Sequence, residues 1–230
     1  MARSDRDLAA LVLDRAAWLK GQGEGLAEAL LAHGRLQRFA TGEWAQAEGD
    51  DDTGLLVVIE GAIHVMCQAP GDREVMVAVG GPGLALGQTT RFGGGPRLAT
   101  VLCAEPSLLL VLSDSALSRI AAERPEVWRM VAALVFMQLR SSLATAAEML
   151  ALPPRQRLAS RLLVFARAFD VGGSAGRLPL SQQTLGEMAG LSRKTVNGYL
   201  TEFQRRGLVR LGYGEIELLD QAGLRRIAES

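Results

Sequence analysis

The sequence predicts an α+β chain in three parts: a small β-roll of jelly-roll type with a helical lead-in, a long helix, and a C-terminal winged helix-turn-helix. Three observations predict it. Pro179 to Leu211 reads as two short capped helices around a tight turn, followed by a strand. Residues 36–112 are short apolar runs punctuated by glycine, a pattern of many short strands. Between these parts, no glycine or proline interrupts the chain from Pro125 to Leu150.

Residues 1 to about 38 carry Leu8, Leu11, Val12, Ala16 and Leu19 at helical spacing, then Leu26, Leu30 and Leu31. They predict a helical lead-in, with His33 just beyond it as a surface or capping residue. Strands are expected at Leu55–Ile59, Ala62–Cys67, Glu74–Val79, Ala99–Leu102 and Leu108–Leu112. Turn signals separate them: 49–52, Gly61, Pro70-Gly71-Asp72 and Gly80-Gly81-Pro82-Gly83. The acidic run at 50–52 reads as a solvated turn, because a calcium site needs more oxygen ligands at set spacing. Ser113 to Glu123 returns to helical character, and Arg124 to Leu150 reads as one helix roughly 40 Å long. Trp128, Val131, Val135, Ser142 and Met149 form one stripe on it; Val127, Met130, Leu134 and Met137 form another. Two stripes predict two partners, the chain's own β-domain and a second copy of the helix. Pro153-Pro154 ends it. Arg155 to Phe169 is a further amphipathic helix, and 172–176 a loop. The expected domains are therefore 1–123, 124–150 as the dimerisation helix, and 153–230.

Composition narrows the function classes. Hydrophobic residues make up 48% of the 230, enough for a real core. The reading finds no apolar run approaching the roughly 20 residues of a membrane span, nor the apolar centre of an export signal in the first 21 residues. A cytoplasmic protein without membrane contact is expected. Cys67 and Cys103 are the only cysteines. Their spacing suits neither zinc nor an iron–sulfur cluster, so two buried strand residues are expected. Net charge is zero, but unevenly spread. From Pro153 onward there are 12 Arg/Lys against 7 Asp/Glu, a net of +5, leaving −5 for the rest. A basic unit joined to an acidic one suits a nucleic-acid reader carried by a sensor domain.

The C-terminal motif is the most informative stretch. Ser181 caps a helix over Gln182–Ala189, Gly190 ends it in a left-handed turn, and Ser192 caps a second helix to about Arg206. Leu185, Met188, Ala189, Leu191, Val196, Tyr199, Leu200 and Phe203 supply a small core, and Gly186 permits close approach. Arg193, Lys194, Thr195, Asn197 and Gly198 remain exposed on the second helix, whose N-terminal end is the end such proteins point into the major groove. Leu208–Leu211 and Glu215–Leu219, around Gly212-Tyr213-Gly214, read as the wing hairpin.

The order of these parts resembles the cyclic-AMP receptor / fumarate-nitrate regulator (Crp/Fnr) family of bacterial transcription factors, from about 36 to 228. Its carriers are LLVVIEGAIHV at 55–65, GPRLATV at 95–101, LPPRQRLASRLL at 152–163, LSRKTVNGYL at 191–200 and RGLVRLGYGEIELLD at 206–220. The resemblance implies a β-roll that is cyclic-nucleotide-binding-like, with a cyclic nucleotide as its candidate ligand. In the family a Gly–Glu pair contacts the ribose, and Arg followed by Ser or Thr grips the phosphate. The corresponding residues here are Gly87, Gln88 and Thr89, then Pro96, Arg97, Leu98 and Ala99, with Ser142 on the long helix facing the base. Leu98 cannot donate a hydrogen bond, and the loss of one donor to a buried phosphate costs about 1–3 kcal/mol. Gln88 is a weaker acceptor than a carboxylate. The cassette is half kept, so the expected pocket takes an altered ligand or none. The triglycine 93–95 offers backbone N–H groups to an anion or is a plain flexible loop.

The resemblance also implies a homodimer through 124–150, a near-palindromic duplex operator and RNA polymerase as partners. On the recognition helix the family's Arg is kept as Arg193, able to bond guanine in two places. Its Glu is Lys194 and its second Arg is Gly198, so the operator should differ at the bases those residues read. Ser181, Ser192, Arg193, Lys194, Thr195, Asn197, Arg205 and Arg206 form the expected DNA-facing set; Arg205, Arg206 and Arg210 suit phosphates. Other classes weigh less. A haem sensor needs an axial ligand; His64 and Cys67 stand three apart and point to opposite faces, reading as a surface His and a core Cys. A metal-dependent enzyme in the β-roll needs two or three histidines, and the chain has only His33 and His64. A module that keeps the fold without binding DNA is left open by Lys194 and Gly198. No enzyme activity and no metal are expected.

Overall fold

The computed structural model describes residues 4–51, 54–88, 95–170, 176–212 and 214–230. Thr89, Gly93, Gly94 and Tyr213, and residues 172–175 of the expected loop, lie outside them. The lead-in is two helices, α1 Asp5–Arg15 and α2 Leu26–His33. Ser4 and Asp7 close a reciprocal capping box at the start of α1. His33 is the last residue of α2 rather than lying beyond it.

Among the described residues eight strands follow: β1 Arg35–Phe39, β2 Trp44–Gln46, β3 Gly54–Glu60, β4 Ile63–Ala69, β5 Arg73–Gly80, β6 Ala85–Leu86, β7 Thr100–Cys103 and β8 Ser107–Ser113. They pair antiparallel into two four-stranded sheets, β1-β8-β3-β6 and β2-β7-β4-β5. β3 and β8 are apolar along almost their whole length because both faces are covered. Val58 and Leu109 face the opposite sheet. Leu55, Val57, Ile59, Leu108, Leu110 and Leu112 face the helices. A strand buried on two sides shows a continuous apolar run rather than alternation.

Ser113 caps α3, Asp114–Glu123, by accepting from the Ala116 N–H at 3.2 Å. The long helix α4 spans Val127–Ala151, about 38 Å. Its first turns are built into the β-domain: Val127, Met130, Val131 and Leu134 are buried there, and Trp128, Val135 and Met137 pack beside them. Most of both expected stripes therefore faces the chain's own core. The free apolar side chains lie on a third line, Phe136, Leu139, Leu143 and Leu150, which are 63, 55, 62 and 90% exposed. By length and composition alone α4 is apolar enough to cross a bilayer, while Arg129 and Arg140 keep its uninterrupted apolar run well short of a span.

The C-terminal part consists of α5 Pro154–Asp170, β9 Arg177–Leu178, α6 Gln182–Ala189, α7 Arg193–Arg205, β10 Val209–Leu211, β11 Ile216–Leu218 and α8 Gln221–Ala228. Strand order β10-β11-β9 makes the wing a three-stranded sheet. The core holds Leu158, Leu162, Leu185, Val196, Leu200, Phe203 and Leu224, and extends onto the β-roll through Ala62, Met76 and Val79. His64 lies at that junction. It is half-buried rather than a surface residue, and Glu187 of α6 is close enough to influence its charge. Cys103 is fully buried as expected, whereas Cys67 is only partly so.

Candidate nucleic-acid interface and effector cavity

The helix-turn-helix is built as its residue types dictate. Ser181 accepts from the Thr184 N–H at 3.0 Å and Ser192 from the Thr195 N–H at 3.2 Å, satisfying donors that helix starts leave open. Both hydroxyls are thus occupied by capping. Gly190 closes α6 at φ +62°. A Cβ at Gly186 would sit 2.9 Å from the Leu191 carbonyl oxygen and 3.3 Å from Val196, so only glycine lets the two helices meet this closely. Arg193, Lys194, Asn197 and Gly198 are exposed at the start of α7, with Thr195 half-buried. Among the described residues no acid pairs with Arg193 or Lys194 in a salt bridge, so two cations stand at a helix N-terminus, where an anionic partner is favoured.

The phosphate candidates are less free than the sequence suggests. Arg206 pairs with Glu202 at 3.5 Å and Arg210 with Glu217 at 2.6 Å. Arg205 donates to the Thr201 carbonyl at 3.5 Å. Arg155, not singled out from sequence, grips Glu202 through Nε and Nη2 at 3.2 and 2.8 Å and lies over the Phe203 ring. That fork holds the Glu202 carboxylate below its usual pKa, first through the Arg155 hydrogen bonds and then with help from Arg206.

In the β-roll, Arg97 is buried and donates from Nη1 to Gln46 Oε1 at 2.6 Å. Gln46 in turn donates to the Ala99 carbonyl at 2.9 Å. Gly87 lies against this pair at φ +93°: a Cβ there would be 2.6 Å from Arg97 Nη1 and 2.7 Å from the Gly54 carbonyl oxygen. The cavity beside them encloses about 260 Å³. Gln46, Arg97, Gln138 and Ser142 supply its polar wall; Val65, Val77, Leu86, Leu98 and Val101 are among its apolar lining. Cys67 also reaches the wall, and its thiol donates weakly to the Leu98 carbonyl at 3.5 Å. Burial, then the nearby Glu48 carboxylate, pushes that thiol's pKa up. His64 lies on the other face of β4, toward α6, as their three-residue separation predicts.

Gln88 does not line this cavity. It is 2% exposed and donates to Gln138 Oε1 at 2.9 Å, while Gln138 donates to the Ala85 carbonyl at 2.8 Å. The structure therefore brings Gly87, Arg97, Leu98, Ala99 and Ser142 to one cavity and turns Gln88 toward the long helix. Thr89 lies outside the described residues, and Pro96 is exposed and does not line the cavity.

Residues 36–124 match the cyclic nucleotide-binding domain family, and residues 156–227 match the Crp-like helix-turn-helix domain family. The chain belongs to the Crp/Fnr family of transcription regulators. A CRP-like cAMP-activated global transcriptional regulator of Mycobacterium tuberculosis (strain ATCC 25618 / H37Rv) is 28% identical over 94% of this chain and 98% of its own length. The cyclic AMP receptor protein of Thermus thermophilus is 29% identical over 79% of this chain and 82% of its own. FixK2 from Bradyrhizobium japonicum has the same fold, with a TM-score of 0.73 at 20% identity over 84% of this chain and 96% of that one. The domains and relatives are those of transcription regulators rather than enzymes.

Within this Crp/Fnr regulator, sequence reasoning missed Gln46 and Gln138, the residues that hold Arg97 and Gln88. Each lies about 50 positions from the residue it holds, and nothing local in the sequence announces a neutral amide as a binding partner.

Proposed function

We propose that this Crp/Fnr regulator acts as a homodimer that reads a near-palindromic duplex operator, with an effector cavity altered from the cyclic-nucleotide pattern. One observation carries the dimer: the exposed apolar line on α4. Phe136, Leu139, Leu143, Ala146 and Leu150 fall at alternating spacings of three and four, the a/d register of a coiled coil. A membrane span would be apolar all round. Here Gln138, Arg140, Ser141, Ser142, Thr145 and Glu148 fill the other faces, which favours a second copy of the helix over lipid. A cytoplasmic location follows from the DNA-reading role. Pairing along α4 would present two copies of α7, each tipped by Arg193 and Lys194, to successive major grooves. RNA polymerase is the protein partner that such a regulator needs.

The altered cavity is supported by three side chains. Leu98 offers no hydroxyl, Gln88 faces Gln138 instead of the cavity, and Arg97 is held by Gln46. This reading gives weak or no binding of cyclic AMP. A second reading, a true cyclic-AMP response, is favoured by the buried Arg97 and by the relative described as cAMP-activated. Titration calorimetry with cyclic AMP, cyclic GMP and cyclic di-GMP separates the two. A low-micromolar constant for cyclic AMP selects the second. Sedimentation velocity tests the dimer, and a monomer at micromolar concentration refutes it.

A further inference from the structure

α7 holds one glycine that its own fold does not require. In the DNA-reading part, Gly176, Gly190, Gly207 and Gly214 take φ between +62° and +86°, where a side chain is strained. A Cβ at Gly186, Gly212 or Gly223 would fall 2.9, 2.8 or 2.4 Å from a neighbouring atom. Among the described glycines of this part, Gly198 alone has neither reason. It lies inside a 13-residue helix, its φ is not positive, and a Cβ there would meet nothing within 4 Å. Glycine is the poorest helix former after proline, so an exposed interior glycine weakens α7 with no gain in packing.

The position of Gly198 on α7 points to its use. Val196, Leu200 and Phe203 are the buried stripe of the helix. At 3.6 residues per turn Gly198 lies nearly opposite them, on the outermost line, with the exposed Lys194 and Thr201 one turn to either side and Asn197 beside it. A side chain at 198 would lean toward the turn that holds Lys194, because helical side chains point back along the chain. Its absence leaves a bare spot at the outer edge of the helix. The major groove is about 12 Å wide, and an α-helix with its side chains about 10–12 Å across. That fit has little slack, so one missing side chain on the outermost line sets how deeply the helix seats. We propose that Gly198 is a specificity-determining residue: it lets the backbone of α7 approach the base edges closely, so that Lys194 and Asn197, at the margin of the bare spot, reach the bases. This rests on the DNA-reading function proposed above. The sacrifice of helix stability at 198 is then made for the duplex and not for the fold.

Stability and binding measured on the same variants test this. Duplexes that the wild type selects from a random library supply the operator, and Gly198→Ala and Gly198→Leu are compared with the wild type. The two readouts should move in opposite directions. The melting temperature of Gly198→Ala should rise by about 2–4 °C, because alanine favours the helix and fits open space. Operator binding should weaken by about tenfold in Gly198→Ala and further in Gly198→Leu. Affinity for an unrelated duplex should hold, because phosphate contacts carry it. Selection repeated with Gly198→Leu should return an altered preference at one position of the site. A lower melting temperature in Gly198→Ala would show that the fold needs this glycine, and would overturn the proposal. Variants that bind operator as tightly as the wild type would overturn it too, as would an equal loss on operator and unrelated duplex. A wild type that enriches no duplex would refute the DNA-reading function itself, and this role with it. A wild type that enriches one, with both variants unaffected, would remove the role of Gly198 alone.

Discussion

Gln88 and Gln138 meet as a neutral amide pair, with 2.9 Å between the donor nitrogen of one and the acceptor oxygen of the other. Gln138 also satisfies the Ala85 carbonyl. Gln138→Ala removes both contacts and leaves the buried Gln88 amide without its acceptor. Denaturant unfolding should show a loss of about 1–3 kcal/mol, the cost of stranding a buried polar group. A loss indistinguishable from zero would mean that water replaces Gln138 freely.

Leu98 lines the cavity near Arg97 but brings no donor to it. Leu98→Ser supplies the hydroxyl that the family pattern places beside the phosphate. Cyclic AMP affinity should rise by about 1–3 kcal/mol in calorimetry, with cyclic di-GMP as the control. If the wild type already binds tightly and the substitution changes nothing, Leu98 is not the cause of a weakened pocket.

Leu143 sits at the middle of the exposed α4 line. Leu143→Glu would set two carboxylates against each other across an apolar seam, an arrangement that association does not tolerate. Sedimentation should report monomers, with circular dichroism preserved because Leu143 takes no part in the chain's own core. Ser141→Glu, two residues away and on the opposite, polar side of the helix, should leave the dimer intact.

The junction between β-roll and DNA-reading part carries a pH dependence of defined sign. Burial holds the His64 pKa below its usual 6.5, and Glu187 opposes that shift only in part. The unfolded chain therefore takes up a proton at a pH where the folded chain does not. Stability from the neutral, half-buried ring is complete above about pH 6.5 and falls as pH drops through and below that value. Thermal melts between about pH 5 and pH 7.5 should show a steeper decline for wild type than for His64→Gln. Comparing the two removes the contribution of Glu105, whose raised pKa, caused by burial and then by Glu60, acts in the opposite direction.

Much of this fold was legible because its signals are local. Ser181, Gly190 and Ser192 fix the helix-turn-helix through caps and one left-handed turn, all within twelve positions. The apolar runs at 55–59 and 108–112 announce strands covered on both faces. β1, with the polar sequence RLQRF, and the two-residue β6 carry too little apolar pattern to be seen alone. The long helix, expected over Arg124–Leu150, spans Val127–Ala151, and both expected stripes turn mostly to the chain's own core. Periodicity reveals that stripes exist but cannot say which one the chain covers itself; packing of Trp128, Val131 and Val135 under the β-domain decided that. In the cavity, Arg97 and Ser142 were legible from the family pattern. The orientation of Gln88 was not, because it depends on Gln138, fifty residues away in sequence.

The proposed dimer would hold two copies of α7 about one turn of duplex DNA apart. Selection of bound duplexes from a random library tests it most directly. The expected outcome is an inverted repeat with a fixed half-site spacing. Arg193→Ala should weaken binding by about 1–3 kcal/mol and relax the preference at one base in each half. Enrichment of a lone half-site, or no enrichment at all, would contradict it.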